Sequence, residues 1–514
     1  MNYRPVSSVY LLESAEIAEQ ILAATPFTVD RGNLKTRNIA LYDTFESQAW
    51  STNHLVLKTS GQLSITDLSN GNLSASCSFR RSPVAFMAQE IHDGPVREIL
   101  KQISPLRAFI RLAEYMHNEE QWRILDENCK TVATLRLTTL SAGTKKKQST
   151  TVLTLTPLRG YQDEVATIQD AAEKTAKATT LPSLEPMYRN IFKQCGFSVQ
   201  AYASKPTVRL EKDAPVGQSA RRMLRQTLQV LRTNEPWIPK DIDTEFLHDY
   251  RVAIRRTRSI LAQLKGIFAE ETIAPFRQGF RDLAKRTNNL RDQDVYLLEA
   301  DTLRAMLPQR LRPGLEPFFE DLRKGRHAEL RKFARHLSTT HHAAFIKQWE
   351  AFLRNPHAVT LHEGSIKTAE AAKTTIRKAW KKVLRHGRNI GQEASDQELH
   401  ALRLDCKKLR YLLEFFATVY PDNIINPAVK QLKNLQDNLG SFVDLSVQQD
   451  HLYQWLASSP RCKNNPETAA SLGGLIALIG NERENVRARF HKTFRKFDSE
   501  ETEHLFRQLI HQKG

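Results

Sequence analysis

The stretch LHDYRVAIRRTRS, Leu247–Ser259, holds one histidine and four arginines in thirteen residues. At about 100° of helical turn per residue, His248, Arg251, Arg255 and Arg258 fall within an arc of about 80°. Ile254, Ile260, Leu261 and Leu264 fall on the far side. The spacing predicts an amphipathic helix with a basic stripe. Like charges on one face cost a few tenths of a kcal/mol per pair, so exposed helices usually intersperse acids. Here Asp249 lies off the stripe.

The pattern is written twice. LHALRLDCKKLRYLL (Leu399–Leu413) aligns on LHDYRVAIRRTRSIL (Leu247–Leu261) without a gap. His400 matches His248, Arg403 matches Arg251, Lys407–Lys408 match Arg255–Arg256, and Arg410 matches Arg258. The segments before them also correspond, RRMLRQTLQVLR (Arg221–Arg232) with TIRKAWKKVLR (Thr375–Arg385). A duplicated four-helix unit follows, as two helical bundles related by a pseudo-two-fold, over about 218–345 and 365–514.

The 514-residue chain is too long for one core, and its composition changes along its length. From residue 1 to about 160 it is rich in Thr, Ser and Val. His54–Leu68, Thr131–Ser141 and Gln148–Tyr161 read as strands, and Ser14–Thr25 as a helix. The fold class expected is multidomain, α+β then all-α. An antiparallel-sheet domain spans 1–165, a helical connector and linker 166–217, and an all-α domain of at least eight helices 218–514. Lys205–Gly217, with two prolines and a glycine, is the linker proper.

Charge follows the same division. Residues 1–200 carry 22 Lys+Arg against 20 Asp+Glu, whereas residues 201–514 carry 53 against 37, so +16 of the net +18 lies in the second part. Such a field favours a polyanion: nucleic acid, an anionic lipid surface or polymeric phosphate. The five cysteines are scattered with no CxxC pair, which argues against a disulfide framework or structural zinc. No apolar run reaches the eighteen or so residues of a membrane span, and the start lacks an apolar signal region. A cytoplasmic protein with no membrane partner is expected. His248–Asp249 has no further histidines or aspartate at ligand spacing, and its repeat partner reads His400–Ala401. No metal site, cofactor, phosphate-binding glycine loop or nucleophile elbow is expected.

Arginine predominates in the first stripe, and its planar fork suits phosphate oxygens, whereas lysine acts as a point charge. His248 and His400 are either hydrogen-bond donors to phosphate or helix-packing histidines.

These residues resemble the CHAD family, which is named for its conserved histidines and α-helical domain. HDYRVAIRRTR (His248–Arg258), RDQDV (Arg291–Val295), HALRLDCKKLRY (His400–Tyr411) and LKNLQDNLGSFVD (Leu432–Asp444) follow the family's motifs in order, over roughly 205–514. The resemblance implies two pseudo-symmetric helical bundles that bind inorganic polyphosphate on basic stripes. The candidate binding residues are His248, Arg251, Arg255, Arg256 and Arg258 in the first copy, and His400, Arg403, Lys407, Lys408 and Arg410 in the second. Arg222, Arg225, Arg377, Lys381 and Arg385 join them from the preceding helices. Arg291, paired with Asp292 or Asp294, is the alternative of a structural clasp.

The N-terminal part resembles the CYTH (triphosphate-tunnel) family at LYDTFES (Leu41–Ser47), EQWRILDENCKTVATLRL (Glu120–Leu137) and VLTLTPLRGY (Val152–Tyr161). The family's opening Glu-x-Glu-x-Lys is replaced by SSVYLLES (Ser7–Ser14). Thr151, Leu153 and Leu155 stand where the family's magnesium-binding carboxylates belong. A degenerate CYTH-like domain without catalysis is the expectation, with Lys58, Arg80–Arg81, Arg107 and Arg111 as tunnel-lining cations or ordinary surface residues. For the whole chain the expected function is non-catalytic binding of inorganic polyphosphate, with polyphosphate granules as an associated site. The rivals are an inorganic triphosphatase and a nucleic-acid binder; for the latter only Tyr411 lies near the stripe to stack a base.

Overall fold

The structure, a computed structural model, describes residues 7–142, 149–175, 177–355, 361–391 and 395–511. It divides into two compact units, Met1–Ser204 and Lys205–Gly514.

The first unit is built on one antiparallel sheet. Its strands are β1 (Ser8–Leu12), β2 (Thr28–Arg31), β3 (Lys35–Asp43), β4 (His54–Thr59), β5 (Gln62–Asp67), β6 (Leu73–Ser78), β7 (Ala85–Phe86), β8 (Phe109–Leu125), β9 (Thr131–Ala142), β10 (Ser149–Pro157) and β11 (Ala178–Thr180). The order is β11-β1-β10-β9-β8-β3-β4-β5-β6, with β2 and β7 also paired to β8. The pleat sends alternate side chains to opposite faces. On β10, Leu153 and Leu155 enter a core with Ile17, Ile21, Val165 and Ile168, while Val152 enters another with Met187, Ile191 and Phe192.

Two features bear on the implied tunnel. Among the described residues the strand path is open, with β11 and β6 as its ends. The β10 positions where carboxylates would hold magnesium are apolar core or the buried Thr151. These residues do not fit the metal. Lys58 is buried, its Nζ donating to Thr59 O, and Arg107 is buried beside Glu46 at 3.4 Å. Arg80 and Arg81 are exposed and Arg111 is half-buried. Asp43 of LYDTFES is a local brace. Its buried carboxylate accepts N–H groups from Thr44, Ala49 and Trp50 at 2.6, 2.8 and 3.0 Å.

The segment 166–217, expected as a connector, is divided between the units. The helix Gln162–Lys174 and the helix Glu185–Gln194 pack on the sheet. Residues 205–215 are tied into the helical unit instead: Leu210 N donates to Thr418 Oγ1 at 3.0 Å, and Lys367 pairs with Asp213 at 2.8 Å.

The second unit is helical. Its helices of eight or more residues are α1 (Val216–Asn234), α2 (Glu245–Gln263), α3 (Glu270–Arg286), α4 (Asn288–Leu298), α5 (Glu316–Leu337), α6 (Thr340–Arg354), α7 (Thr368–Arg388), α8 (Asp396–Phe415), α9 (Asp422–Ser458), α10 (Pro466–Ala488), α11 (Phe490–Phe497) and α12 (Glu500–His511). Local chemistry sets some ends. At α8, Ser395 Oγ accepts the Glu398 N–H and the Glu398 carboxylate accepts the Ser395 N–H, a reciprocal capping box. No helix among the described residues is long and apolar enough to cross a membrane.

The duplicated pairs are α1–α2 and α7–α8. Just before them the two copies exchange backbone hydrogen bonds: Val216 N donates to Ile366 O at 2.8 Å, and Thr368 N donates to Ala214 O at 2.9 Å. Such reciprocity is what a two-fold relation produces. The stripe helices α2 and α8 pack on each other. The halves also share a core, in which Phe318, Phe319 and Leu322 of α5 meet Leu452 of α9 and Leu472, Leu475 and Ile479 of α10.

One close approach fixes α7. A Cβ on Gly387 would lie 2.0 Å from the ring of Phe494, which is itself buried. Gly387→Ala gains up to about 1 kcal/mol of helix propensity. Overpacking against a confined ring costs about 1–3 kcal/mol, so the clash wins. Thermal unfolding of this variant is expected at a lower temperature than for the native chain.

Candidate polyanion-binding cleft

Helices α2 and α3 from the first half and α7 and α8 from the second enclose a cleft of about 1090 Å³. The α2–α3 side supplies Arg255, Arg258, Arg277 and Arg281, with Lys265 just beyond α2. The α7–α8 side supplies Lys378, Lys382, Lys407 and Lys408. Nine cations therefore line it, against two carboxylates, Glu363 and Asp405. Tyr411, Leu412 and Leu404 supply apolar surface between them.

Each wall follows from helical spacing. Residues four apart share a face, which brings Arg277 with Arg281 and Lys378 with Lys382. Arg255 and Arg258 are exposed, and Lys407 is half-buried. Burial, then the neighbouring Arg403 and Arg255, hold the Lys407 ammonium below its ordinary pKa. No carboxylate pairs with Arg255, Arg258, Lys378 or Lys407 among the described residues. Arg277 pairs with Glu270, and Asp405 is shared by Lys382 at 2.9 Å and Lys408 at 3.4 Å. Unpaired cations held close by packing are a standing electrostatic cost, which an anion between the walls removes.

Of the fifteen candidate residues, the cleft gathers Arg255, Arg258, Lys407 and Lys408. The others are placed elsewhere. Arg251 is half-buried and donates to Thr287 Oγ1 at 2.6 Å and Asn288 Oδ1 at 3.0 Å, at the α3–α4 junction. Arg403 pairs with Asp444 of α9 at 2.8 Å. Arg410 pairs with Glu414 at 2.7 Å, and Arg256 approaches the same carboxylate at 3.9 Å, so Glu414 ties α2 to α8. His248 is half-buried and His400 exposed, both outside the lining. Arg222, Arg225, Arg377, Lys381 and Arg385 are exposed on α1 and α7, also outside the lining. Lys265, Arg277, Arg281, Lys378 and Lys382 were not among the candidates. The four-residue spacing of the Arg277–Arg281 and Lys378–Lys382 pairs was the signal available for four of them.

The motif RDQDV at the start of α4 is a clasp, with partners other than those its spacing suggested. Arg291 faces Glu245 at 3.7 Å. Asp294 accepts from Arg326 Nε of α5 at 2.6 Å, and Arg326 Nη1 reaches Asp241 at 2.8 Å.

A family model for the CHAD domain matches residues 222–453, from within α1 to late α9. Residues 222–453 are a CHAD domain. Two curated relatives from Mycobacterium tuberculosis are similar to this chain: uncharacterized protein MT2285 (strain CDC 1551 / Oshkosh) and uncharacterized protein Rv2226 (strain ATCC 25618 / H37Rv). Each is 26% identical over 258 residues, covering 49% of this chain and 48% of the relative. The chain thus matches about half the length of these relatives. Among solved structures, the CHAD domain from the plant Ricinus communis aligns with 57% of this chain and 96% of its own, at 21% identity and a TM-score of 0.47. PptA from Streptomyces chartreusis aligns with 55% and 100%, at 15% identity and a TM-score of 0.44. In this CHAD domain the duplicated stripe helices each give two cations to the cleft.

Proposed function

We propose that the helical unit binds inorganic polyphosphate in the cleft between α2–α3 and α7–α8, without chemistry on the ligand. One observation carries this reading: nine cations from both halves of the repeat converge on one cleft with two carboxylates between them. The polyphosphate association of CHAD domains supports it. A linear polyanion with one charge per phosphate can engage both walls along its length. Each exposed contact contributes little, so affinity accumulates from many contacts on one chain and from released counterions.

Calorimetric titration of the full chain tests this. Long-chain polyphosphate is expected to bind more tightly than tripolyphosphate, with an affinity that falls steeply as salt rises. It is also expected to displace a single-stranded RNA of matched charge. Equal competition by the RNA would replace this reading with general polyanion binding, and no binding of polyphosphate would end it.

A further inference from the structure

The two carboxylates of the cleft differ in their surroundings. Glu363 is exposed, and no cation pairs with it among the described residues. Asp405 is nearly buried, its side chain 6% exposed, and it is crowded by cations. Its Oδ1 accepts from Lys382 Nζ at 2.9 Å and from Lys408 Nζ at 3.4 Å, and its Oδ2 lies 3.2 Å from His386 Nδ1. Burial by itself would raise the carboxyl's pKa. The hydrogen bonds from Lys382 and His386 and the lysine charges outweigh it and hold Asp405 below its ordinary value, so it stays ionised.

By charge alone, any carboxylate in this cleft repels a polyanion. The geometry gives Asp405 a second effect. Lys382 and His386 stand one turn apart on α7, and Lys408 stands on α8, so one carboxylate fixes ammonium groups from two helices at the cleft wall. A lysine on a free four-carbon stem must be ordered when a phosphate arrives; one already held has less freedom to lose. The first copy has Ala253 at the position equivalent to Asp405. Its wall is mainly arginine, whose planar fork needs less ordering per hydrogen bond.

We propose that Asp405 is a positioning residue that holds Lys382 and Lys408 ready for phosphate, so that removing its negative charge weakens polyphosphate binding. This rests on the polyphosphate reading above, and it reverses the sign that charge alone gives.

The test is titration of the full chain with long-chain polyphosphate at fixed salt. Glu363→Gln is expected to bind about 2-fold more tightly, as loss of one repulsive charge requires. Asp405→Asn is expected to bind about 3- to 10-fold more weakly, and to add no further loss in a Lys382→Ala/Lys408→Ala background. Tighter binding by Asp405→Asn, matching Glu363→Gln, overturns the proposal. A second comparison leaves Asp405 intact. Lys378 and Lys382 line the same cleft from α7, and only Lys382 is held by Asp405. Lys382→Ala should cost about 3-fold more affinity than Lys378→Ala, and equal costs overturn the proposal. A native chain that does not bind polyphosphate defeats the underlying reading and this one together. Native binding with the wrong sign at Asp405 defeats this one alone.

Discussion

Alanine at Arg255, Arg258, Lys407 and Lys408 together is expected to lower the full chain's affinity for long-chain polyphosphate by about 30- to 800-fold. Each exposed ion pair contributes about 0.5–1 kcal/mol, so four contribute about 2–4 kcal/mol, and 1.4 kcal/mol is tenfold. Two of the four come from each half of the repeat, so the change thins both walls. The control is alanine at Arg222, Arg225, Lys381 and Arg385, which removes the same charge from residues outside the lining. If net charge governs binding, the two quadruple variants lose equally. If the cleft governs it, the control loses only a few-fold, because its exposed charges lie outside the lining and act through salt-screened solvent. Calorimetry on both, with melting curves to establish that they fold, decides between these outcomes.

The second large effect is on stability. Arg326→Ala is expected to destabilise the helical unit by about 3–5 kcal/mol, the usual cost of stranding one partner of a buried ion pair. Arg326 is the central link of a three-residue clasp, with Asp294, only 1% exposed, on one side and Asp241 on the other. Without the guanidinium, Asp294 remains a buried carboxylate that has lost its hydrogen-bonded cation and keeps only the weaker field of Arg291 against its desolvation. A unit of this size should then melt roughly 5–8 °C lower. Replacing both partners, Arg326→Met with Asp294→Leu, should recover most of that loss, since apolar pairs often match buried ion pairs. Asp241, more exposed than Asp294, stays solvated in that variant. Differential scanning calorimetry of the single and double variants measures both; recovery absent in the double variant would mean the clasp contributes more than charge neutralisation. The same clasp makes Arg326→Lys a poor substitute, because one ammonium does not reproduce the fork that reaches Asp294 and Asp241 together.

Some of this was legible in the sequence. The division into a sheet-rich and a helical part, the strands around His54, Thr131 and Gln148, and the duplication centred on His248 and His400 all follow from local periodicity. The cleft followed only in part. A helical wheel gives the direction of a side chain around its own axis, and it is silent on which neighbour meets that direction. Arg251 shares the stripe's phase with Arg255, yet α3 and α4 close over it and Thr287 and Asn288 take its donors. Arg277 and Arg281 belong to α3, where their four-residue spacing marks a basic face but not its neighbour, and they join the wall because α3 packs beside α2. For the RDQDV motif a clasp was one of two readings open to Arg291, and the partners Arg326 and Glu245 lie outside the motif and depend on tertiary packing. In the first unit, the open strand path was not visible in strand content, which is the same for an open sheet and a closed one.

The unequal walls of the cleft have a chemical consequence. The α2–α3 side is mainly guanidinium, which remains cationic at any cellular pH, whereas the α7–α8 side is wholly primary amine. Amine-directed chemistry, such as acylation, can therefore remove every cation of one side and only Lys265 of the other. The jaw from α2–α3 is thus mostly permanent and the jaw from α7–α8 wholly adjustable, so the positive charge facing the cleft can be graded without unfolding either.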